Sequence, residues 1–405
     1  MLMNRKSFLK TFAGAFAAVP LLDAPAARLA HAQEKSGIPA RSTRIRDIDI
    51  FPFHIAMTEE IKIAIATDIT ADNIFVRLRT EDGVVGWGES SPFSPVTGET
   101  QQSDVAIGKS LASFIKGKDA FSLPRIVAEM EAFAPGNGSI KAALETALWD
   151  ICGKVAGQPI CNLLGCYRDS FESDKTVGID KPEVMAQKAT EIVHQGFRNV
   201  KIKVGESPLV DTERIRAVRA AIGPNINLRM DANQGWSPAD CVQVLRSVAD
   251  QQVQLCEQPV VYWDWAGLRF IREHASTPIM VDESVHLAHD AITGIRENAM
   301  DAINIKLMKS GGILQAVRIA QVADAANIKC MVGCMDETRL GLTAAAHVVA
   351  SQKNIVFADL DADLFLATDP VMGGMELRQG VIRLPRAAGL GLDVDPAFLA
   401  KLRAA

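Results

Sequence analysis

The sequence predicts an α/β architecture, an eight-period β/α barrel preceded by a smaller α+β unit, and three observations carry that prediction. After about Ser173, eight short β-rich runs alternate with stretches of helical spacing. Lys203, Asp231, Glu257, Asp282 and Lys306 close successive runs at intervals of 28, 26, 25 and 24 residues, the span of one strand, one helix and two loops. Ahead of them, residues 44–165 read as strands followed by helices, the pattern of a self-contained α+β layer.

In chain order, residues 1–32 predict a signal peptide. Arg5, Lys6 and Lys10 precede an apolar stretch, Phe12–Leu22, and Ala30-His31-Ala32 offers a small-x-small cleavage site. The run Asn4–Lys10 resembles a twin-arginine signal with Lys in the second basic place, so the expectation is an exported, periplasmic enzyme. That apolar stretch has 11 residues and includes Pro20, short of the ~20 that span a bilayer, so no membrane association is expected once the signal is cleaved. Residues 41–168 follow as the α+β unit. Its strands run Ile45–Phe53, Asn73–Arg79 and Val84–Trp87, with a turn at Glu81-Asp82-Gly83. Ala142, Leu144, Ala147, Leu148 and Ile151 then mark a helix behind the breaker Gly136-Asn137-Gly138-Ser139, where Ser139 is the expected cap. Residues 169–368 carry the barrel runs: Thr176–Ile179, Val200–Val204, Asn227–Asp231, Gln254–Glu257, Pro278–Asp282, Ala302–Lys306, Lys329–Val332 and Ile355–Asp359.

Composition excludes several classes. Apolar residues make up 48% and charged ones 22%, the balance of a globular chain with a large core. Net charge is −5 without a basic stripe, which argues against a nucleic-acid partner. Seven cysteines without paired CxxC spacing do not make a zinc site; Cys161 and Cys166 are close enough in sequence to pair in an oxidising compartment.

In a β/α barrel the carboxyl ends of the strands converge on one mouth, so a polar residue ending a strand is a functional candidate. Lys201 and Lys203 share one face of strand 2, and Asp359 and Asp361 one face of strand 8. Strands 2 and 6 are opposed in a ring of eight, which sets Lys203 and Lys306 across the cavity from each other. Between them Asp231, Glu257 and Asp282 form an all-oxygen cluster suited to a hard divalent cation, Mg2+. A lysine base must be neutral, and its ordinary pKa of about 10.4 has to fall; the positive charges of Lys201 and the metal supply that pressure. The equipment fits abstraction of a proton beside a carboxylate, with Mg2+ stabilising the resulting enediolate. Asn233 and Glu283 are expected as outer partners of the acids and lysines.

The motifs Lys201-Ile-Lys203-Val-Gly205, Asp231-Ala-Asn-Gln-Gly-Trp236, Glu257-Gln-Pro259, Asp282-Glu-Ser284 and Ile305-Lys306-Leu-Met-Lys-Ser-Gly-Gly312 resemble the muconate-lactonizing-enzyme subgroup of the enolase superfamily over about residues 44–392. The resemblance implies a (β/α)7β TIM-like barrel and a capping domain completed by the carboxyl-terminal segment, residues 369–405. Within the subgroup, Asp359-Leu360-Asp361 looks like the Asp-x-Asp signature of dipeptide epimerases, in which the pair holds the substrate α-ammonium. Epimerisation of the carboxyl-terminal residue of a dipeptide is then implied, with Lys203 and Lys306 as exchanging base and acid.

Relatives specific for Ala-Glu dipeptides carry an Arg in the first capping loop. His54 to Ile74 contains none, with Ala66 at the matching place, and Ile61, Ile63, Ile65 and Ile69 point instead to a hydrophobic carboxyl-terminal residue. Asp336 replaces an apolar residue of those relatives and either faces a polar or cationic amino-terminal side chain or lies on the surface. Competing expectations are another enzyme of the superfamily, such as a cycloisomerase or o-succinylbenzoate synthase, and, far behind, a non-catalytic periplasmic binding protein. A homo-oligomer is the default assembly.

Overall fold

Apolar side chains at alternate positions in Phe51-Pro-Phe-His-Ile55 turn one face of the first strand inward, and the strand pairs with its successor to bury them. The structure, a computed structural model, describes residues 42–405; the signal peptide expected over 1–32 lies outside them. Strands β1 (Ile45–Ile63), β2 (Ala66–Thr80) and β3 (Val85–Ser90) form the expected antiparallel meander. β1 and β2 are longer than the sequence suggests. They continue through residues 54–74 as a hairpin closed by Ala64-Ile65, with Ile61 opposite Asp68 and Ile63 opposite Ala66. Isoleucine and threonine favour extended backbone here, while no Gly, Asn or Asp marks the turn itself.

Helices α1 (Gln101–Ile115), α2 (Leu123–Phe133) and α3 (Gly138–Ala156) complete the smaller layer. α3 lies directly on β3, and glycine permits the approach: a Cβ on Gly88 would stand 1.8 Å from the Ala143 carbonyl oxygen. Ser139 does not cap this helix. It is buried in the first turn, and the carboxylate of Glu99 accepts the N–H groups of Gly138 at 2.6 Å and Ser139 at 3.0 Å, an anion placed at the positive end of the helix.

Eight parallel strands follow in sequential spatial order, Lys175–Val177, Asn199–Lys203, Asn227–Asp231, Val253–Glu257, Ile279–Val281, Ala302–Ile305, Lys329–Gly333 and Ile355–Asp359. Each coincides with a predicted run to within a few residues. The Asp174 N–H donates to the Ala358 carbonyl at 3.1 Å, bringing first and last strands together into a nearly closed barrel. Seven long helices connect the strands, from Pro182–His194 to Arg339–Ser351, and none of that length follows the eighth, the (β/α)7β pattern the resemblance implied. The carboxyl-terminal segment returns to the smaller layer: Trp87 Nε1 donates to Asp393 at 2.7 Å, and the Ala405 N–H to the Ile50 carbonyl at 2.8 Å. Cys161 and Cys166 form a disulfide. Among the described residues no helix is long and apolar enough to cross a membrane.

Gly88→Ala tests the packing that joins helix and sheet. The added methyl group must separate β3 from α3, and a loss of about 3 kcal/mol or more is expected from the urea unfolding midpoint, at the upper end of overpacking costs.

Candidate active site

Strand register builds the site. Lys203 is paired with Asp231, and Asp231 with Glu257, so three charged ends lie side by side on neighbouring strands. Asp282 and Lys306 each stand one residue beyond their strands, and Lys306 occupies the cap position of a short helix, Leu307–Ser310. Lys201, Asp231, Glu257 and Asp282 are all but excluded from solvent, whereas Lys203 and Lys306 line an open cavity at the mouth.

Charges of opposite sign interleave. Lys201 Nζ lies 2.7 Å from Asp359 Oδ2, 2.9 Å from Glu257 Oε2 and 3.1 Å from Asp231 Oδ2. Lys203 Nζ is 2.7 Å from Asp231 Oδ2, and Lys306 Nζ 3.0 Å from Asp282 Oδ2. Burial opposes charge on every member, but the surrounding ammonium groups outweigh it and hold Asp231, Asp282 and Asp359 below the usual carboxylate range. Lys201 and Lys306 are likewise held above the ordinary lysine value, their desolvation overcome by the facing carboxylates. Glu257 is the exception: burial and the neighbouring Asp231 push it up to about 7.

Asn233 and Glu283 lie beside the acids. The Asn233 N–H donates to Asp231 Oδ1 at 2.9 Å, and its side-chain amide to Glu283 Oε1 at 3.3 Å. Burial and the charge of Asp282 push Glu283 up to about 8. Sequence reasoning missed three supports. Asn304 donates to Glu257 Oε1 at 2.8 Å, Gln258 accepts the Asp282 N–H at 2.8 Å, and Lys309 reaches Asp282 from behind. Only the last had a visible cue, its three-residue spacing from Lys306.

Unmet bonding capacity bears on whether the carboxylates suit a cation. Glu257 Oε2 and Asp282 Oδ2 are buried and receive no well-directed hydrogen bond, despite the nearby ammonium groups. Among the described residues no ready-made shell of three His, Cys, Asp or Glu side chains is closed, because lysine ammonium groups stand between the acids. The donor set itself, three carboxylates in a buried pocket, fits a hard divalent cation.

Above this layer the cavity gathers Lys203, Lys306, Asp336, Asp359 and Asp361 from the barrel with Ile61, Ile63 and Asp68 from the hairpin. Asp361 Oδ2 accepts the Thr176 N–H at 2.7 Å and has no ion-pair partner among the described residues, whereas Asp359 is taken by Lys201. Asp336 belongs to the cavity and not to the outer surface. Asp68, which the sequence did not single out, faces the same space, and neither carboxylate has an ion-pair partner among the described residues. Burial, then for Asp336 the proximity of Asp68, pushes Asp336 up to about 7; burial pushes Asp68 up to about 6. The expected apolar loop is correspondingly reduced: Ile65 and Ile69 are 37% and 65% exposed and do not line the cavity.

Comparison with known proteins accords with this geometry. Residues 47–165 match the N-terminal domain of mandelate racemase / muconate lactonizing enzyme, and residues 184–398 match the enolase C-terminal domain-like family. The chain belongs to this family within the enolase superfamily. A hydrophobic dipeptide epimerase of Enterococcus faecalis is 43% identical over 86% of this chain and 99% of its own length; an L-Ala-D/L-Glu epimerase of Bacillus subtilis is 41% identical over 84% and 93%. The crystal structure of the dipeptide epimerase from Enterococcus faecalis V583, complexed with Mg and L-Leu-L-Tyr, superposes with a TM-score of 0.85 at 42% identity, covering 86% of this chain and 99% of that one. The assignment to the dipeptide epimerases of the muconate-lactonizing subgroup is borne out. The periplasmic location is corrected. An alignment of 355 residues takes in 99% of the Enterococcus relative and leaves no room there for a 32-residue leader, so the relatives give export no support.

Proposed function

We propose that this chain is a Mg2+-dependent dipeptide epimerase that inverts the α-carbon of the carboxyl-terminal residue by proton transfer between Lys203 and Lys306. One observation carries the reading: the two lysines end the second and sixth of eight barrel strands and open onto a single cavity, so an α-carbon held between them is approached from both faces. Bound by Asp231, Glu257 and Asp282, Mg2+ would supply a Lewis acid that draws charge onto the substrate carboxylate. Asp231 and Asp282 now pair with the catalytic lysines; committed to a cation, they leave both amines free to turn toward the cavity. Lys203, when neutral, removes the α-proton from one face, and Lys306 as ammonium returns one to the other; for the opposite enantiomer the roles exchange. Lys201, kept charged by its carboxylates, stands two residues before Lys203 on the same strand and shares Asp231 with it.

Asp361, assisted by Asp359, holds the α-ammonium at the strand 8 end. Asp336, one strand away, then faces the amino-terminal side chain. Together Asp336 and Asp68 provide negative charge beyond an apolar stretch made by Ile61 and Ile63, which is complementary to the long stem and charged tip of Lys or Arg. This corrects the expectation of a purely apolar hairpin and separates the chain's preference from that of the hydrophobic dipeptide epimerase it is similar to.

Incubation with dipeptide mixtures in D2O is expected to place deuterium at the α-carbon of the carboxyl-terminal residue alone, read by mass spectrometry and NMR. Lys203→Ala and Lys306→Ala should each slow epimerisation about 10²–10⁴-fold. Absence of exchange with every dipeptide would overturn the reading. A second prediction concerns pH. Asp336 has a raised pKa of about 7, so it is neutral below that pH and anionic above it. KM for Lys- or Arg-containing dipeptides should therefore carry an added pH dependence, falling more as pH rises through about 7 than KM for their Leu counterparts, which share only the α-ammonium site at Asp361. Asp336→Asn should remove that pH dependence and cost the cationic substrates about tenfold or more in kcat/KM.

A further inference from the structure

We infer that Lys309 is a positioning residue for the metal site, gripping one oxygen of Asp282 so that the other stays turned toward the barrel mouth. The inference rests on the reading of Asp282 as a cation ligand. Lys309 is 4% exposed and does not line the substrate cavity, so it cannot reach a reacting carbon. Its ammonium is enclosed by four oxygens: Asp282 Oδ1, the Asp282 carbonyl, the Val285 carbonyl at 3.2 Å and the Asn304 carbonyl at 3.1 Å. These come from the ends of the fifth and sixth strands, so one side chain ties together the two strands that carry Asp282 and Lys306.

The short helix Leu307–Ser310 explains the placement. Lys306 caps it and Lys309 lies three residues on, a spacing that puts both ammonium groups on one side. They share Asp282, Lys306 at Oδ2 and Lys309 at Oδ1. The two grips differ in permanence. Lys306 borders the cavity and can swing toward substrate, whereas the turn holding Lys309 is clamped by the capping layer: a Cβ on Gly138, at the start of α3, would stand 2.5 Å from the Met308 carbonyl oxygen and 2.7 Å from that of Lys309. Lys309 therefore stays when Lys306 leaves, and Asp282 keeps its orientation with Oδ2 freed of its lysine partner. A carboxylate ligand whose second oxygen is fixed by an outer partner binds its ion in one geometry, and loss of such partners typically weakens metal affinity about 10–100-fold.

The test is Mg2+ binding to the full chain without substrate, by isothermal titration calorimetry, with Mn2+ electron paramagnetic resonance as a second readout. Lys309→Met is expected to raise the Mg2+ Kd about 10–100-fold and to broaden the Mn2+ spectrum, with Lys309→Arg restoring part of the affinity. If Lys309→Met does not fold, Lys309→Gln, which keeps donors but loses the charge, should show the same direction. A Kd within twofold of the wild type for the folded variant overturns the inference. Asp282→Asn separates the two levels: if it abolishes Mg2+ binding while Lys309→Met leaves it intact, only the role of Lys309 fails, and if Asp282→Asn binds Mg2+ like the wild type, the metal-site reading fails and this inference with it.

Discussion

Carboxylates buried inside a barrel need positive charge beside them, and that requirement organises the mouth of this protein. Asp231, Glu257, Asp282 and Asp359 face Lys201, Lys203, Lys306 and Lys309, four acids against four amines, in a space almost closed to water. Unpaired, any one of them would carry a desolvation penalty of several kcal/mol. The balance also constrains the proposed chemistry. One lysine must give up its proton to act as a base; that loss, a divalent cation and a substrate carboxylate sum to no net change. On the proposed reading the lysines stand as placeholders where the cation would bind.

Rigidity comes from the joint between capping layer and barrel. Glu89, at the end of β3, accepts hydrogen bonds from Thr338 N–H at 2.9 Å, Thr338 Oγ1 at 2.7 Å and Gly341 N–H at 2.9 Å, capping the seventh barrel helix from the neighbouring layer. Asn73 on β2 donates both to Glu89 at 2.9 Å and to the Asp336 carbonyl at 2.8 Å. The turn that presents Asp336 is therefore fastened to the same sheet whose hairpin presents Asp68. Two carboxylates of like charge are thus presented to one cavity by segments anchored to one sheet, through Asn73 and the buried Glu89.

How much of this is legible in the sequence depends on range. A charged residue closing each successive β-rich run needs only periodicity to be recognised, which is why Lys203, Asp231, Glu257, Asp282 and Lys306 stand out from their spacing alone. Ring order then brings Lys203 and Lys306 into opposition. Contacts that depend on packing between distant segments are not legible. Lys309 acts through a short helix seated by Gly138, far away in the chain. Ser139 has the right chemistry for a cap but is displaced by Glu99, a residue from a loop 40 positions earlier. The hairpin misleads for a local reason: its turn, Ala64-Ile65, lacks the residues that normally announce one. Strand therefore reads as loop, and the alternation that points Asp68 inward and Ile69 outward is hidden.

The two carboxylates of Asp359-Leu360-Asp361 are partnered differently. A shared face suggests two equivalent partners for a substrate ammonium, yet the structure gives Asp359 a buried lysine of its own and leaves Asp361 with only backbone and thiol contacts. Burial and the nearby Asp359 charge push Asp361 up to about 7, so it resists ionisation until a cation is present. On the proposed reading Asp361 is the member left free to meet a substrate ammonium, and Asp359, already shared with Lys201, assists it from the same face.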